Sequence, residues 1–174
     1  MHLLLIAIFC FLLVSCGPSS DSLEYKIEQL TSQIKDEPED PILHYDLGRA
    51  YIEDKKYHSA LKTLVEAIRL KEDYGDAYRE KGIALFYLKR YFDAEKALYK
   101  SFSLNPANAD IATDLGSIFI ATGKPKKSLR FLKIAQIRDN NMHIVFNNMG
   151  AAHSEIGQNK QAIDYLKKAL KIHP

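Results

Sequence analysis

An all-α fold, a solenoid of antiparallel helix pairs, is what this sequence predicts, and three observations predict it. Glycines recur at one fixed interval: Gly48, Gly82, Gly116 and Gly150 each stand 34 residues apart. The same interval joins Ala60, Ala94, Ser128 and Ala162, then Leu64, Leu98, Leu132 and Leu166, then Ala67, Ser101, Ala135 and Ala169. Within each unit, small residues face large ones every three or four positions, the pattern of two amphipathic helices whose backbones approach closely where Gly and Ala sit. About four helical hairpins, with one helix ahead of them, follow from this count.

The 174 residues, 47% hydrophobic and 26% charged, suffice for such an array to bury a continuous core. With 24 basic and 22 acidic residues and a net charge of +2, the chain lacks the basic excess of a protein whose main partner is nucleic acid.

Taken in order, residues 1–15 read as an export leader. Leu3 to Val14 is an unbroken, uncharged apolar run, shorter than the roughly 18 residues that span a bilayer and suited to the core of a signal peptide. Only His2 precedes it, with no Lys or Arg. Leu13-Val14-Ser15-Cys16 resembles the lipobox of bacterial lipoproteins. That resemblance implies that Cys16 is lipidated and becomes the first residue of the mature chain, which places the protein in the cell envelope on a lipid anchor. Gly17, where Asp would signal retention, resembles the pattern for an outer membrane. Cys10 and Cys16 are the only cysteines, so the body has no disulfide and rests on helix packing alone. Residues 16–20 form a short tether. At roughly 3.3–3.6 Å per extended residue it keeps the first hairpin within about 20 Å of the lipid surface.

Residues 21–40 hold a capping helix. Asp21 can serve as N-cap of a helix to about Lys35, with Leu23, Ile27, Leu30 and Ile34 on one face. Pro38, Pro106 and Pro174 stand 68 residues apart, so this helix fills the slot of a preceding second helix. The hairpins occupy 41–74, 75–108, 109–142 and 143–174. Their helices are expected near 41–54 and 57–71, 75–88 and 91–104, 109–122 and 125–138, and 143–156 and 159–172. Asp40-Pro41 supplies a cap and a first-turn proline, and Pro125 starts another helix.

Leu47-Gly48-x-x-Tyr51 with Ala60, Leu64 and Ala67, and Gly82 with Leu85, Ala94, Leu98 and Pro106, resemble the tetratricopeptide repeat. Lys81, Pro125, Asn159, Gln136 and Arg138 depart from that pattern. The resemblance implies a right-handed superhelix of helix pairs and a concave groove that receives a peptide or a partner helix. Its groove slots fall on Ile42, Tyr45, Arg49, Ile52 and Glu53 in the first unit and Arg79, Ile83, Phe86 and Tyr87 in the second. In the third they fall on Thr113, Ser117 and Ile120, and in the fourth on Asn147, Asn148 and Ser154. Members that grip acidic C-terminal tails use Lys and Asn where Tyr45 and Arg49 stand here, so no affinity for such tails is expected.

No constellation supports an enzyme. Gly116 to Pro125 ends in Gly-Lys like a phosphate-binding loop, but six residues separate its glycines where four are needed and proline follows the lysine. The six histidines are nowhere paired at i, i+3 or i+4, so no metal site is expected. No hydrolase or zincin motif is present, and no cofactor is implied. Asp110 and Asp114 read as a solvated helix face. So does the uninterrupted basic run Lys124, Lys126, Lys127, Arg130, Lys133 and Arg138, with anionic lipid or an acidic partner as the alternative.

The expected function is a membrane-anchored adaptor or assembly factor of the envelope that binds a protein or peptide. Two readings compete with it: a self-associating scaffold without a client, and a non-catalytic regulator of an envelope hydrolase. The chain stops at Ile172-His173-Pro174 without the polar helix that often closes such arrays. Ile163 and Leu170 are then the candidate end interface, through which weak homo-oligomers would form, with Leu166 and Ala169 turned more inward and Lys167, Lys168 and Lys171 able to shield the patch.

Overall fold

The computed structural model describes residues 22–139 and 143–173. The leader, Cys16, the 17–20 tether, Asp21 and Pro174 lie outside the described residues. Among the described residues nine helices follow one another: α1 (Leu23–Asp36), α2 (Pro41–Glu53), α3 (Tyr57–Leu70), α4 (Gly75–Tyr87), α5 (Tyr91–Leu104), α6 (Ala109–Ala121), α7 (Pro125–Arg138), α8 (His143–Glu155) and α9 (Asn159–Ile172).

Side-chain caps start several of them. Asp40 accepts from the Ile42 N–H (2.8 Å), and Asn108 accepts from those of Asp110 (2.8 Å) and Ile111 (3.3 Å). At α1 the cap is Ser22, not Asp21: Ser22 is extended (φ −78°, ψ 146°) and its hydroxyl oxygen accepts from the Tyr25 N–H at 3.1 Å. The first helices of the hairpins end one residue sooner than the pattern suggested, because each closes in the same double turn. The N–H of Lys56, Arg90, Lys124 and Gln158 returns to the carbonyl five residues back, at 2.7–2.9 Å. This wrapped end needs a left-handed residue. Gly123 (φ 66°) and Gly157 (φ 76°) supply it at no steric cost, while Lys55 (φ 58°) and Lys89 (φ 59°) take the same conformation against a penalty of roughly 1–2 kcal/mol. Gly123 therefore serves the hairpin turn and not a phosphate loop.

Each hairpin closes by one repeated knob and hole. A Cβ on Gly116 would lie 2.6 Å from Leu132 Cδ2 and 2.7 Å from its Cγ. Gly48 stands against Leu64, Gly82 against Leu98 and Gly150 against Leu166 in the same way. Leu132 is fully buried and cannot retreat, whereas Leu166 is 39% exposed. Gly116→Ala is thus expected to lose about 1 kcal/mol and at most about 2, overpacking of roughly 1–3 kcal/mol set against about 1 kcal/mol of helix propensity. Gly150→Ala is expected to be neutral or slightly stabilising, since Leu166 can swing outward. Urea unfolding of the two variants checks this; equal losses would refute it.

Hairpin stacks on hairpin through the buried Ile111, Leu115, Ile118 and Phe119 with Leu85, Ala94 and Leu98, then Leu132, Val145 and Met149, then Leu64 with Ala77 and Ala84. Leu30 of α1 covers Leu47 and Ala50 at the front. Ser128 sits in a slot that is Ala in the other three units; it fits by volume, and its buried hydroxyl has no partner among the described residues.

The contact pattern fixes the curvature. First helices touch one another directly, α2 with α4, α4 with α6 and α6 with α8. The backbones of the second helices α3, α5, α7 and α9 come close only to first helices, and α5 meets α7 through longer side chains, Tyr99 and Phe102 against Phe131 at 5.7 Å each. The first helices therefore form the close inner row of a curved array, and the second helices form the spread outer row.

Candidate functional site: the inner groove

The inner row carries a repeated polar slot that counting small and apolar residues missed. Asp46, Glu80, Asp114 and Asn148 stand 34 residues apart, on α2, α4, α6 and α8. Neighbouring inner helices touch, so side chains in and beside this slot meet across them. Arg79 donates from Nε to Asp114 Oδ2 at 2.6 Å, with Asp110 at 4.0 Å and Glu80 at 3.9 Å from its Nη1. Asn148 donates to the Ser117 hydroxyl at 2.9 Å. Asp110 and Asp114 are thus not a free solvated pair. Burial pushes the Asp114 carboxyl up to about 6 against the pull of Arg79. It raises Glu80 as well, opposed by Arg79 and Arg49.

Aromatic rings flank these rungs. Tyr87 is 55% exposed and stacks on Tyr57 (centroids 4.7 Å apart, planes at 8°), while Phe86 meets Tyr87 edge-on at 5.7 Å. Toward the front, Tyr45 packs on Tyr74 at 4.9 Å with the Arg49 guanidinium 5.7 Å from its ring. Burial pushes the Tyr74 phenol up to about 12, so both hydroxyls stay neutral donors at any physiological pH.

Between α4 and α6 the surface dips into a pocket of about 210 Å³ lined by Ile83, Phe86, Tyr87, Asp114 and Ser117, with Gly82 in its wall. A wider cleft of about 540 Å³ opens at the front between α1 and α2, beside Asp46 and Glu53. It is lined mostly by polar and charged side chains with a single ring, Tyr25, so we place the site at the smaller pocket, where two rings meet a half-buried carboxylate.

The groove residues named from the sequence divide three ways. Ile83, Phe86, Tyr87 and Ser117 meet at this pocket, Arg79 bridges its two helices, and Asn148 ties α8 to Ser117 beside it. Ile42, Arg49, Glu53, Asn147 and Ser154 are exposed, while Tyr45, Ile52 and Ile120 are half-buried. Thr113 is a correction: it is buried, and its hydroxyl donates to the Ala109 carbonyl at 2.8 Å, so it is closed to a ligand. The α9 residues Ile163, Leu166 and Leu170 are exposed and Ala169 is buried.

The histidines have structural places. His44 is buried and donates from Nε2 to the Pro38 carbonyl at 2.8 Å, and His153 stacks on Tyr165 at 5.2 Å. His143 and His173 bring their rings to 5.0 Å from the ends of α8 and α9, a meeting that spacing along one helix cannot reveal. Among the described residues no three His, Cys, Asp or Glu gather in a metal-binding group.

Two family models, both described as tetratricopeptide repeat, match residues 22–89 and 144–174. Tetratricopeptide repeat protein 28 of Mus musculus is 26% identical over 140 residues, which is 78% of this chain and 6% of that protein. The chain spans between 6% and 38% of the length of the curated relatives it matches. Among solved structures, residues 41 to the end of MamA from Desulfovibrio magneticus RS-1 superpose with a TM-score of 0.79 at 21% identity, covering 87% of this chain and 86% of that one. YrrB, described as a TPR protein with an unusual peptide-binding site, superposes with a TM-score of 0.72 at 20% identity, covering 87% and 78%. At these identities the structures show a shared fold. The repeating glycine–leucine contacts, the two matching models and these superpositions agree that the chain is an all-α solenoid built of tetratricopeptide repeats.

Proposed function

We propose that this protein is a non-catalytic adaptor, lipid-anchored in the cell envelope, that holds an apolar segment of a partner protein flanked by basic residues. One observation carries the reading: the α4–α6 pocket joins exposed aromatic surface to a wall that holds the Asp114 carboxylate, with Asp110 and Glu80 beside it around Arg79, at the centre of the inner row. The four inner helices hold seven acidic residues (Asp46, Glu53, Asp76, Glu80, Asp110, Asp114, Glu155) and three basic ones (Arg49, Arg79, Lys81), a net of −4. Arg79 is already engaged by carboxylates. A segment bearing Lys or Arg beside a large apolar side chain complements this wall, and an acidic tail does not.

The anchor rests on Leu13-Val14-Ser15-Cys16 and the short stretch behind it, and Gly17 favours an outer membrane. Several acyl chains, at about 0.8 kcal/mol per buried CH₂, make loss of the mature chain from a membrane negligible.

The test compares wild type, Tyr45→Ala/Phe86→Ala, Tyr87→Ala and Cys16→Ala in recovery from detergent-solubilised envelopes. Tyr87 is exposed, so Tyr87→Ala is expected to fold normally and to lose the co-purifying partner at least tenfold, as removal of an interface aromatic worth about 2 kcal/mol does. Cys16→Ala is expected to leave the membrane fraction or to retain its leader. Unchanged recovery of every co-purifying protein by both groove variants would sink the adaptor reading. A Cys16→Ala chain that migrates and fractionates like wild type would sink the anchor.

A further inference from the structure

The outer row of helices carries a charge opposite to the inner row. Helices α3, α5, α7 and α9 hold thirteen Lys and Arg against four acidic residues, a net of +9. Three of those four carboxylates are already held: Glu66 by Arg69 at 2.8 Å, Asp93 by Arg90 at 2.7 Å and Glu95 by Lys124 at 3.3 Å. The near-neutral whole chain thus conceals two faces of opposite sign.

The basic face also has a pattern. Two of its surface slots, two helical turns apart, recur at the 34-residue interval. One holds Phe92, Lys126 and Lys160, and the other holds Tyr99, Lys133 and Lys167, all six exposed. The face is aromatic on α5 and lysine on α7 and α9. Phe92 is 71% exposed, with the Lys96 ammonium 4.8 Å from its ring, and Ile137 on α7 is 82% exposed. Single exposed apolar side chains are ordinary on a protein surface, so it is their setting that marks these two. Here they stand among long lysines on a surface where the helices spread apart and curve away, so the row does not enclose a peptide.

We infer that this outer face of α5, α7 and α9 docks on an anionic lipid surface. Headgroup phosphates meet the lysines, which reach outward on flexible stems, and the exposed rings and Ile137 enter the headgroup–acyl boundary. Such a surface demands charge and apolar area on one face and no shape complementarity, which is what the row provides. The inference stands without the lipid anchor. With the anchor, the inner groove would turn away from the membrane and toward a partner.

The test uses the full chain with vesicles of phosphatidylglycerol mixed into phosphatidylcholine, beside vesicles of phosphatidylcholine alone, read by lysine acetylation and mass spectrometry. Because any anchor is common to both vesicles, the comparison isolates the face. Acetylation of Lys126, Lys133, Lys160 and Lys167 is expected to slow about fivefold or more on the anionic vesicles, while Lys26 and Lys35 of α1 react equally on both. Salt at about 1 M should erase the difference. In Lys126→Gln/Lys133→Gln/Lys167→Gln, the preference for anionic over neutral vesicles is expected to fall on the order of 100-fold, about fivefold for each charge removed. Equal acetylation on the two vesicles overturns the inference. So does protection by soluble polyglutamate that matches or exceeds that by the anionic vesicles, which would assign the face to an acidic protein.

Discussion

Phe119→Ala is expected to cost about 3–5 kcal/mol, the usual loss for an aromatic side chain removed from a core that cannot collapse. Phe119 is fully buried on α6. Its ring stacks on Phe131 of α7 at 5.6 Å and meets Tyr99 of α5 at 6.3 Å, so one side chain joins three helices of two hairpins. The ammonium groups of Lys124 and Lys127 lie 5.7 and 5.5 Å from the same ring. Because each hairpin contacts only its neighbours, the damage should be local. Hydrogen exchange should quicken first in α5, α6 and α7 while α1 to α3 keep their protection. Urea unfolding that moves by less than about 1 kcal/mol, or exchange that rises evenly along the chain, would contradict this account.

What the sequence made legible is what one hairpin repeats. Gly116 and Leu132 each recur at the common interval, and their contact is the same in every unit, so the period alone announced helix pairs and their order. The groove was legible only in part, because its chemistry lies between units. Arg79 reaches Asp114, 35 residues on, and Asn148 reaches Ser117, 31 residues back; both pairings require knowing that inner helices touch. The signal was nonetheless present, since Asp46, Glu80, Asp114 and Asn148 share one slot. A polar residue kept in phase on the inner helix marks a rung. Tyr57 was invisible for a different reason: it begins an outer helix and reaches the groove only by stacking on Tyr87 at the end of an inner one. Thr113 misled because its slot faces inward while its hydroxyl satisfies its own helix. The sign of each face was hidden too, since a net charge of +2 averages an acidic row with a basic one.

The Arg79–Asp114 rung gives the groove a pH dependence that can be derived and measured. Arg79→Met removes the cation and leaves three carboxylates, Asp114, Asp110 and Glu80, facing one another across α4 and α6. A half-buried carboxylate that loses its partner keeps the desolvation cost without the attraction, so the variant is expected to lose about 2–4 kcal/mol at pH 8. Burial already holds the folded Asp114 at about 6, above its ordinary 3.8, and removing Arg79 pushes it higher still. A group raised on folding contributes stability that is complete below its unfolded value and is lost as pH rises through its folded value. The gap between variant and wild type should therefore narrow as the pH falls from 8 through 6, to about 1 kcal/mol near pH 4.5, where Asp114 is protonated in both. In wild type the same shift makes the Asp114 contribution greatest below about pH 4 and reduced above pH 6. Arg79→Met/Asp114→Leu, which removes both charges, should recover most of the loss and flatten this part of the profile. Urea unfolding of the three proteins from pH 4.5 to 8 decides the matter. A single-variant loss under about 0.5 kcal/mol at pH 8, or one that stays constant across the range, would show that solvent, and not Arg79, balances the Asp114 charge.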